Sequence, residues 1–436
     1  MSRIESAHAL NRFGLGARPG EIDRLAAYPQ GRLIESIAHG ADRSASAASR
    51  DRLVAFLEAR QNGTAQTSFR ERVRREVRAD IIQRIETAAR TDSPVAERMV
   101  HFWANHFTVA VNRPQVGSLA KPFEDEAIRP HVNGRFADML GAVVRHPAML
   151  LYLDNAISFG PNSPAGRRSG RGLNENLARE LLELHTLGVN GGYGQDDVIA
   201  LAKILTGWSV SRLRDLNPGT FRYHDLAHEP GPKTLLGHRF DQGGEAEGEA
   251  ALDMLARHPS TARHIATKLA RHFVADEPPE TAIEALSDTF TSTDGSLTAM
   301  CRTMLELPEA WQPHLAKVRT PNDLLIAALR ALDVTDVDDR SAATLRLLGQ
   351  VPWTAPSPAG WPDEAADWLG PEALMRRIDW AVAVAGIAGN ALDPQQLLET
   401  AVGPLASATT VFHVSGAPSA QEGVAIVLSS PEFQRR

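Results

Sequence analysis

Residues 174–188 read NENLARELLELHTLG, and no other stretch says as much about the fold. At about 100° per residue, Asn176, Glu180 and Glu183 fall on one face of a helix. Leucines at positions 177, 181 and 184 form the opposite apolar stripe. Gly188 is placed to end the helix in the left-handed conformation, which glycine adopts without a steric penalty. The pattern predicts an amphipathic helix with a polar face.

The rest of the chain has the same helical character. Its 436 residues are rich in alanine, leucine, arginine and glutamate, which favour helices, and no region shows sustained alternation of period two. We predict an all-α fold in a single compact body with long loop insertions and at most a small β-hairpin. The sub-regions are predicted as N-terminal helices over 1–92, a motif-bearing core over 93–247 and C-terminal helices over 248–436.

Three segments rich in glycine, proline or polar residues predict the longest loops, at 157–173, 211–247 and 351–371. Within the second loop, 220–223 and 233–236 are the segments expected to form the hairpin. Long loops in compact domains are usually functional or disordered. The loops are therefore candidate positions for binding groups.

Composition excludes several classes of protein. A net charge of -7 and 23% charged residues argue against nucleic-acid binding, and the arginine-rich run 70–78 is predicted as a solvated helix face because glutamates are interleaved. No stretch approaches the ~20 apolar residues of a membrane span. The N-terminus lacks a secretory signal, so the cytoplasm is the default location, with the periplasm left open. The lone cysteine, Cys301, is predicted to be a buried structural thiol.

The polar face of residues 174–188 has two interpretations. Two carboxylates one turn apart, Glu180 and Glu183, can divide acid and base roles or bind a cation. We expect Glu175 and Glu180 to carry this chemistry. Alternatively, the face is merely solvated and carries an internal pair between Arg179 and Glu183. Spacing alone leaves both interpretations open.

Histidines on otherwise apolar faces are the second group of candidates. His106 lies on the apolar face of the helix predicted to begin at Ser93-Pro94, and His185 lies in the apolar arc of residues 174–188. Such histidines can be core residues, or they can meet as metal ligands. A third cluster, residues 223–234, is polar and loop-like and contains His228 as a proton carrier or ligand.

Five blocks of sequence resemble the DUF1800 family, a bacterial family of proteins of unknown function. The blocks are HALNRFGLG at 8–16, FWANHF at 102–107, residues 174–188 continuing to Thr206-Gly207-Trp208, HEPGPKTLLG at 228–237, and Gly349-Gln350 followed by Pro356 and Gly360-Trp361-Pro362. The resemblance implies a helical fold spanning the chain and brings no established catalytic residues. Because family genes often lie beside genes for sulfatase-like proteins, it also suggests such a partner.

These observations together predict a hydrolase-type enzyme acting on a polar, carbohydrate-like substrate, such as a polysaccharide, in a carboxylate-lined cleft. The alternative is a non-catalytic binding or scaffold protein that works with a sulfatase-like partner. A divalent metal is compatible with the cleft, and its ligands are unknown. The predicted catalytic residues are Glu175, Glu180, His106 and His228, and the predicted substrate-binding residues are Asn105, Asn176, Arg179, Lys233 and Trp361.

Overall fold

Helices make up most of the protein, as the sequence predicts. A computed structural model describes residues 2–27, 33–37, 40–42, 48–63, 66–241, 243–312 and 314–436. In the first half of the chain, α-helices run over Arg3–Arg12, Glu21–Ala26, Ser49–Gln61, Gln66–Arg90, Pro94–His106, Pro114–Gly117, Ala120–Phe123, Phe136–Arg145, Pro147–Tyr152, Pro164–Ser169, Asn176–Glu180 and Gln195–Ile204. In the second half, they run over Glu245–Ala256, Pro259–Phe273, Glu280–Ser292, Leu297–Glu306, Pro321–Ala331, Asp339–Leu348, Ala365–Trp368, Pro371–Ala388, Pro394–Ala401, Ala408–Ser415 and Ala420–Ser429.

The strands of the described chain form two small antiparallel hairpins. β1 (Trp208–Val210) pairs with β2 (Phe221–Tyr223), and β3 (Lys233–Leu235) pairs with β4 (His238–Phe240). The predicted pairing of 220–223 with 233–236 is therefore wrong, because each segment pairs with a nearer neighbour. Leu236 and Gly237 both have positive φ, 49° and 77°, which is the backbone of a two-residue type I′ turn. That turn commonly carries Asn-Gly, and the Leu-Gly sequence found here does not predict it.

Residues 174–188 form a short α-helix, Asn176–Glu180, followed by a π-helical turn, Leu181–His185. Gly188 ends it at φ +81°, which confirms the predicted left-handed glycine. The π turn widens the helix, so positions after Glu180 do not keep the α-helical angles used for the prediction. His185 is fully buried, as its place among the leucines suggested.

Two large apolar clusters form the core of the described chain. The first draws its residues from between Ala7 and Ala310, and the second draws most of its residues from the C-terminal helices between Leu324 and Phe433. The second also takes Ile81 from the long helix Gln66–Arg90. N-terminal and C-terminal segments therefore share a core, and the space between the two clusters becomes a natural place for a cavity.

Buried arginines join these segments by capping the ends of helices. The last carbonyls of a helix have no partner within it, and a cation there also interacts well with the helix dipole. Arg12 Nη1 donates to the carbonyls of Phe273 and Val274, at 3.2 and 2.7 Å. Arg330 Nη1 donates to the carbonyls of Ala88 and Ala89, at the end of another helix. Each arginine thus connects segments far apart in the chain.

Two smaller predictions concern Cys301 and the start of the helix at Pro94. Cys301 is buried, and burial raises the pKa of its thiol to about 12, as expected of a structural thiol. The helix predicted from Ser93-Pro94 does begin at Pro94, but the Ser93 side chain makes no cap hydrogen bond. None of the described helices is both long enough and apolar enough to cross a bilayer.

Candidate active site

Two helices supply facing rows of aromatic and polar side chains. On Pro259–Phe273, His264, Lys268 and His272 are spaced four residues apart and so share one face. On Pro94–His106, Phe102 and His106 have the same spacing. The ring centroids of Phe102 and His272 are 5.3 Å apart, and those of His106 and His264 are 6.2 Å apart.

The third wall is the segment after Gly349, and Asn105 attaches it. The Asn105 side-chain amide donates to the backbone carbonyl of Trp361 at 2.9 Å and accepts from the Trp361 backbone N–H at 2.7 Å. Gly360, at φ +86°, permits this approach, because a Cβ there would lie 2.4 Å from the Asn105 carbonyl oxygen. Asn105, predicted to bind substrate, therefore holds the wall of the site in place.

A cavity of about 360 Å³ lies between these three walls. This volume is within the range of small-molecule sites. Its lining combines indole rings, amides and charged groups. The lining includes Arg98, His101, Phe102, Asn105, His106, Lys268, His272, Asn322, Asp323, Trp353, Trp361 and Asp363.

The central polar contact of the cavity joins His272 and Asp363. His272 Nδ1 donates to Asp363 Oδ2 at 2.6 Å, which leaves Nε2 as the unprotonated nitrogen of the neutral ring. His272 Nε2 is buried and has no hydrogen-bond partner in the part of the chain that the structure describes. Burial lowers the pKa of His272 to about 4, with Arg436 and Arg98 also opposing protonation and Asp363 favouring it. Burial alone would raise the pKa of Asp363, but the hydrogen bond from His272 and the charges of Lys317 and Arg436 hold it below its ordinary value.

Lys268 lies one helical turn before His272 and lines the same cavity. Its amine makes no hydrogen bond or ion pair with the described residues. Burial lowers the pKa of Lys268 to about 8, with the charge of Arg271 adding to this and that of Asp363 opposing it. The site therefore holds a cation near its deprotonation point beside a neutral imidazole.

Several other polar and charged side chains at the cavity are paired and stabilise its frame. Arg98 Nη2 donates to Asp323 Oδ2 at 2.6 Å and Nη1 to the Gly14 carbonyl, also at 2.6 Å. His101 Nδ1 lies 3.4 Å from the Asn322 amide nitrogen. Lys317 donates to the Asp363 backbone carbonyl at 2.7 Å. Buried charges of this kind are tolerated because they are paired and hydrogen-bonded.

His106 links the cavity to the π turn. Its Nε2 donates to the backbone carbonyl of His185 at 3.1 Å, and His264 Nε2 donates to the Leu184 carbonyl at 2.9 Å. Burial lowers the pKa of His106 well below its ordinary value, with nearby Lys268 adding to the effect. Within the part of the chain that the structure describes, no group of three or more His, Cys, Asp or Glu residues is placed to hold a metal.

The carboxylates predicted from residues 174–188 do not line this cavity. Glu175 pairs with Arg179 at 2.9 Å and accepts from the Gln195 amide, so the predicted Arg179–Glu183 pair is replaced by Arg179–Glu175. Burial raises the pKa of Glu180, and the neighbouring charge of Glu183 adds to the rise. Asn176 is exposed. The catalytic roles of Glu175 and Glu180 remain predictions.

His228 and Lys233 meet in a separate buried network around Glu247. His228 Nε2 and Lys233 Nζ each lie 2.8 Å from Glu247 Oε2, and His228 Nδ1 lies 2.9 Å from the Thr206 carbonyl oxygen. Neither residue lines the cavity. The geometry is that of a paired core network, which fixes the loop 228–237 against the helix Glu245–Ala256.

Of the predicted residues, the structure therefore brings Asn105, His106 and Trp361 together at the cavity. Lys268, His272 and Asp363 were missed. The i, i+4, i+8 spacing of two histidines and a lysine on one helix was the available signal for the first two. Asp363 follows Gly360-Trp361-Pro362 directly, but nothing in the sequence places it beside a histidine 91 residues earlier.

The family model for DUF1800, a protein family of unknown function, matches residues 8–435. The chain belongs to the DUF1800 family. No curated protein and no solved structure matched it. Two of the blocks that carried the DUF1800 resemblance, 102–107 and Gly360-Trp361-Pro362, meet at the Asn105–Trp361 contact beside the cavity.

Proposed function

We propose that this DUF1800 protein is a hydrolase that acts on a polar, carbohydrate-like substrate held in the cavity. The observation that carries the proposal is the contact between His272 and Asp363. It fixes the tautomer and orientation of the imidazole of His272, a residue that lines a cavity of ligand size, and leaves a buried, unprotonated Nε2 with no hydrogen-bond partner among the described residues.

His272 has the arrangement of a general base. A carboxylate on Nδ1 fixes the tautomer and orientation of the ring and stabilises the imidazolium that forms when Nε2 takes a proton. Asp363 is in that position, and it stays ionised because Lys317 and Arg436 also lie nearby. In the proposed reaction, Nε2 removes a proton from water, and the water oxygen bonds to the electrophilic carbon of the substrate. The bond from that carbon to the leaving group breaks, and the proton passes to the leaving group.

Lys268 supplies the positive charge for such a reaction. Its amine has no ion pair with the described residues, so its charge is available to a substrate oxygen that becomes negative. Preorganised charge of this kind is among the largest contributions to catalysis in sites shielded from water. The position one turn from His272 places the cation and the base on the same side of the cavity.

The lining supports the substrate class. Trp353 and Trp361 present apolar ring surface, while Asn322, Lys268 and Asp363 present polar groups. Sites with aromatic walls and a few convergent polar groups suit ligands that have both apolar faces and hydroxyl groups. A sugar or a related polyol derivative has this character.

The test is a screen of chromogenic glycosides and esters with wild type, Asp363→Asn and a control, Asp336→Asn, in which an exposed carboxylate is changed. Asp363→Asn should lower the turnover of any substrate found by about 10²-fold or more, with the control unchanged. Equal turnover by Asp363→Asn would refute the proposal. Sugar binding without turnover would favour the non-catalytic alternative.

A further inference from the structure

A second concave surface lies along the long helix Gln66–Arg90. Its lining differs in composition from that of the cavity. This arginine groove, of about 670 Å³, is lined by residues of three parts of the chain. The long helix contributes Arg70, Val73, Arg74, Arg75, Val77, Arg78 and Ile81; the helix Asp339–Leu348 contributes Asp339, Ala342, Ala343 and Arg346; and the loops contribute residues 111–114, Val351 and Thr354. The groove shares none of the polar residues of the cavity.

The rim of the groove carries uncompensated positive charge. Six arginines line it, and two of them are paired: Arg78 with Asp339, and Arg113 with Asp154. The other four have no ion pair or hydrogen bond with the described residues: Arg70, Arg74, Arg75 and Arg346. All four are exposed. The glutamates interleaved in the sequence, Glu71 and Glu76, do not line the groove.

The floor of the groove is aliphatic. Val73, Val77 and Ile81 are four residues apart on the long helix, and Ala342 and Val351 approach from the other side. No aromatic side chain lines it. Single-stranded nucleic acids rely on base stacking against aromatic rings, and this floor offers none. It suits branched aliphatic side chains instead.

The length of the rim bears on the ligand's size. Arg70 and Arg78 are eight residues apart, which is about 12 Å along a helix, and Arg346 stands on the opposite wall. A ligand with a single anionic group would meet only one end of this row. A ligand with several acidic groups spaced along an apolar face would meet all of it.

We propose that the arginine groove binds an acidic amphipathic peptide segment of a partner protein. The carboxylates of the peptide would pair with the free guanidinium groups, which bind carboxylates bidentately, and its aliphatic side chains would cover the valine floor. This is helix-in-groove recognition with charge complementarity at the rim.

The experiment measures binding by fluorescence anisotropy on the full chain. The probe is a labelled helical peptide about 16 residues long with leucines at helical spacing and glutamates between them. The comparison probes are a peptide with lysines in place of the glutamates and a single-stranded oligonucleotide. The variants are Arg74→Glu with Arg75→Glu, and Ala343→Glu, which places a carboxylate in the groove from an exposed position. The control is Arg60→Glu, an exposed arginine outside the groove.

The glutamate peptide should bind, more weakly as salt rises. Each groove variant should weaken it by about tenfold, and Arg60→Glu should leave it unchanged. Tighter binding of the oligonucleotide would overturn the proposal in favour of a nucleic-acid surface. Equal binding by wild type and the groove variants, or no binding at all, would also overturn it. Circular dichroism of the variants excludes loss of fold as the cause, and hydrolytic activity does not enter the readout.

Discussion

His272 Nδ1 and Asp363 Oδ2 are 2.6 Å apart, although 91 residues separate them in the chain. The histidine comes from the helix Pro259–Phe273, and the aspartate from the proline-rich segment that Asn105 holds against the helix Pro94–His106. Three segments distant in sequence must therefore fold together before the pair exists.

The pH profile of hydrolysis should have both an acidic and an alkaline limb. The base must be neutral, so kcat/KM should rise through the His272 pKa of about 4. The cation must be protonated, so kcat/KM should fall through the Lys268 pKa of about 8. Free-enzyme groups set this profile. Lys268→Met should remove the falling limb, and a falling limb that survives in that variant would exclude Lys268 from the reaction.

Lys268 should be labelled by an amine reagent at a lower pH than an ordinary lysine. Only the free amine reacts, so the rate should level off above the Lys268 pKa of about 8. The chain has five lysines, at positions 121, 203, 233, 268 and 317, which makes peptide mass spectrometry of each site practical. Labelling of Lys203 in the same sample monitors reagent decay. A Lys268 rate still climbing at about pH 10, the range of an unperturbed lysine, would contradict the described environment.

Acid should destabilise the fold through its buried histidines. Burial lowers the pKa of His185 to about 3 and those of His264 and His272 to about 4, against about 6.5 in the unfolded chain. The unfolded state thus binds more protons in this window, so stability is fully present above pH about 6.5 and is lost as pH falls to about 4.

The free energy of unfolding, measured by urea titration at several pH values across this window, tests this pH dependence. His272→Gln should reduce the slope of stability against pH by about 1.4 kcal/mol per unit. The exposed His413 gives the control, His413→Gln. Identical slopes for wild type and His272→Gln would show that His272 is protonated as readily in the folded chain as in the unfolded one.

The contact between Asn105 and Trp361 should matter for stability and activity together. Asn105→Ala removes two hydrogen bonds, worth about 1 kcal/mol each, and frees the segment that carries Asp363. Gly360→Ala should cost more, because φ is +86° and the added Cβ would lie 2.4 Å from the Asn105 carbonyl oxygen. Asn190→Ala, at an exposed position, is the control in urea unfolding. Wild-type stability in both variants would show that the contact between Asn105 and Trp361 does not hold this segment in place.

The fold was largely predictable, since helical periodicity and glycine placement are local properties. Gly188 confirms this, with its positive φ read directly from its position after the leucine stripe. The predicted pairing of 220–223 with 233–236 was wrong because Leu236-Gly237 forms a tight turn that its sequence does not predict. The π turn after Glu180 was also hidden, since the sequence shows only apolar positions and not the hydrogen bonds between them.

The site was predictable only in part. His106, Asn105 and Trp361 could be named because they stand in the family blocks, but their contacts could not. Asn105 forms hydrogen bonds with the backbone of Trp361. Because every residue type other than proline has the same backbone groups, the sequence does not identify such a partner. The charged state of Lys268 depends on burial between segments that only the folded chain brings together. By contrast, the acidic residues of 174–188 led to the prediction that Glu175 and Glu180 are catalytic, and Glu175 is engaged by Arg179.

The most direct test compares His272→Gln with Glu180→Gln on one hydrolysed substrate, with kcat/KM measured at neutral pH. If the cavity is the active site, His272→Gln should lose about 10²–10⁴-fold, while Glu180→Gln, which lies outside the cavity lining, should keep wild-type activity. Loss in Glu180→Gln with activity retained in His272→Gln would contradict the account and place the chemistry on the face of residues 174–183.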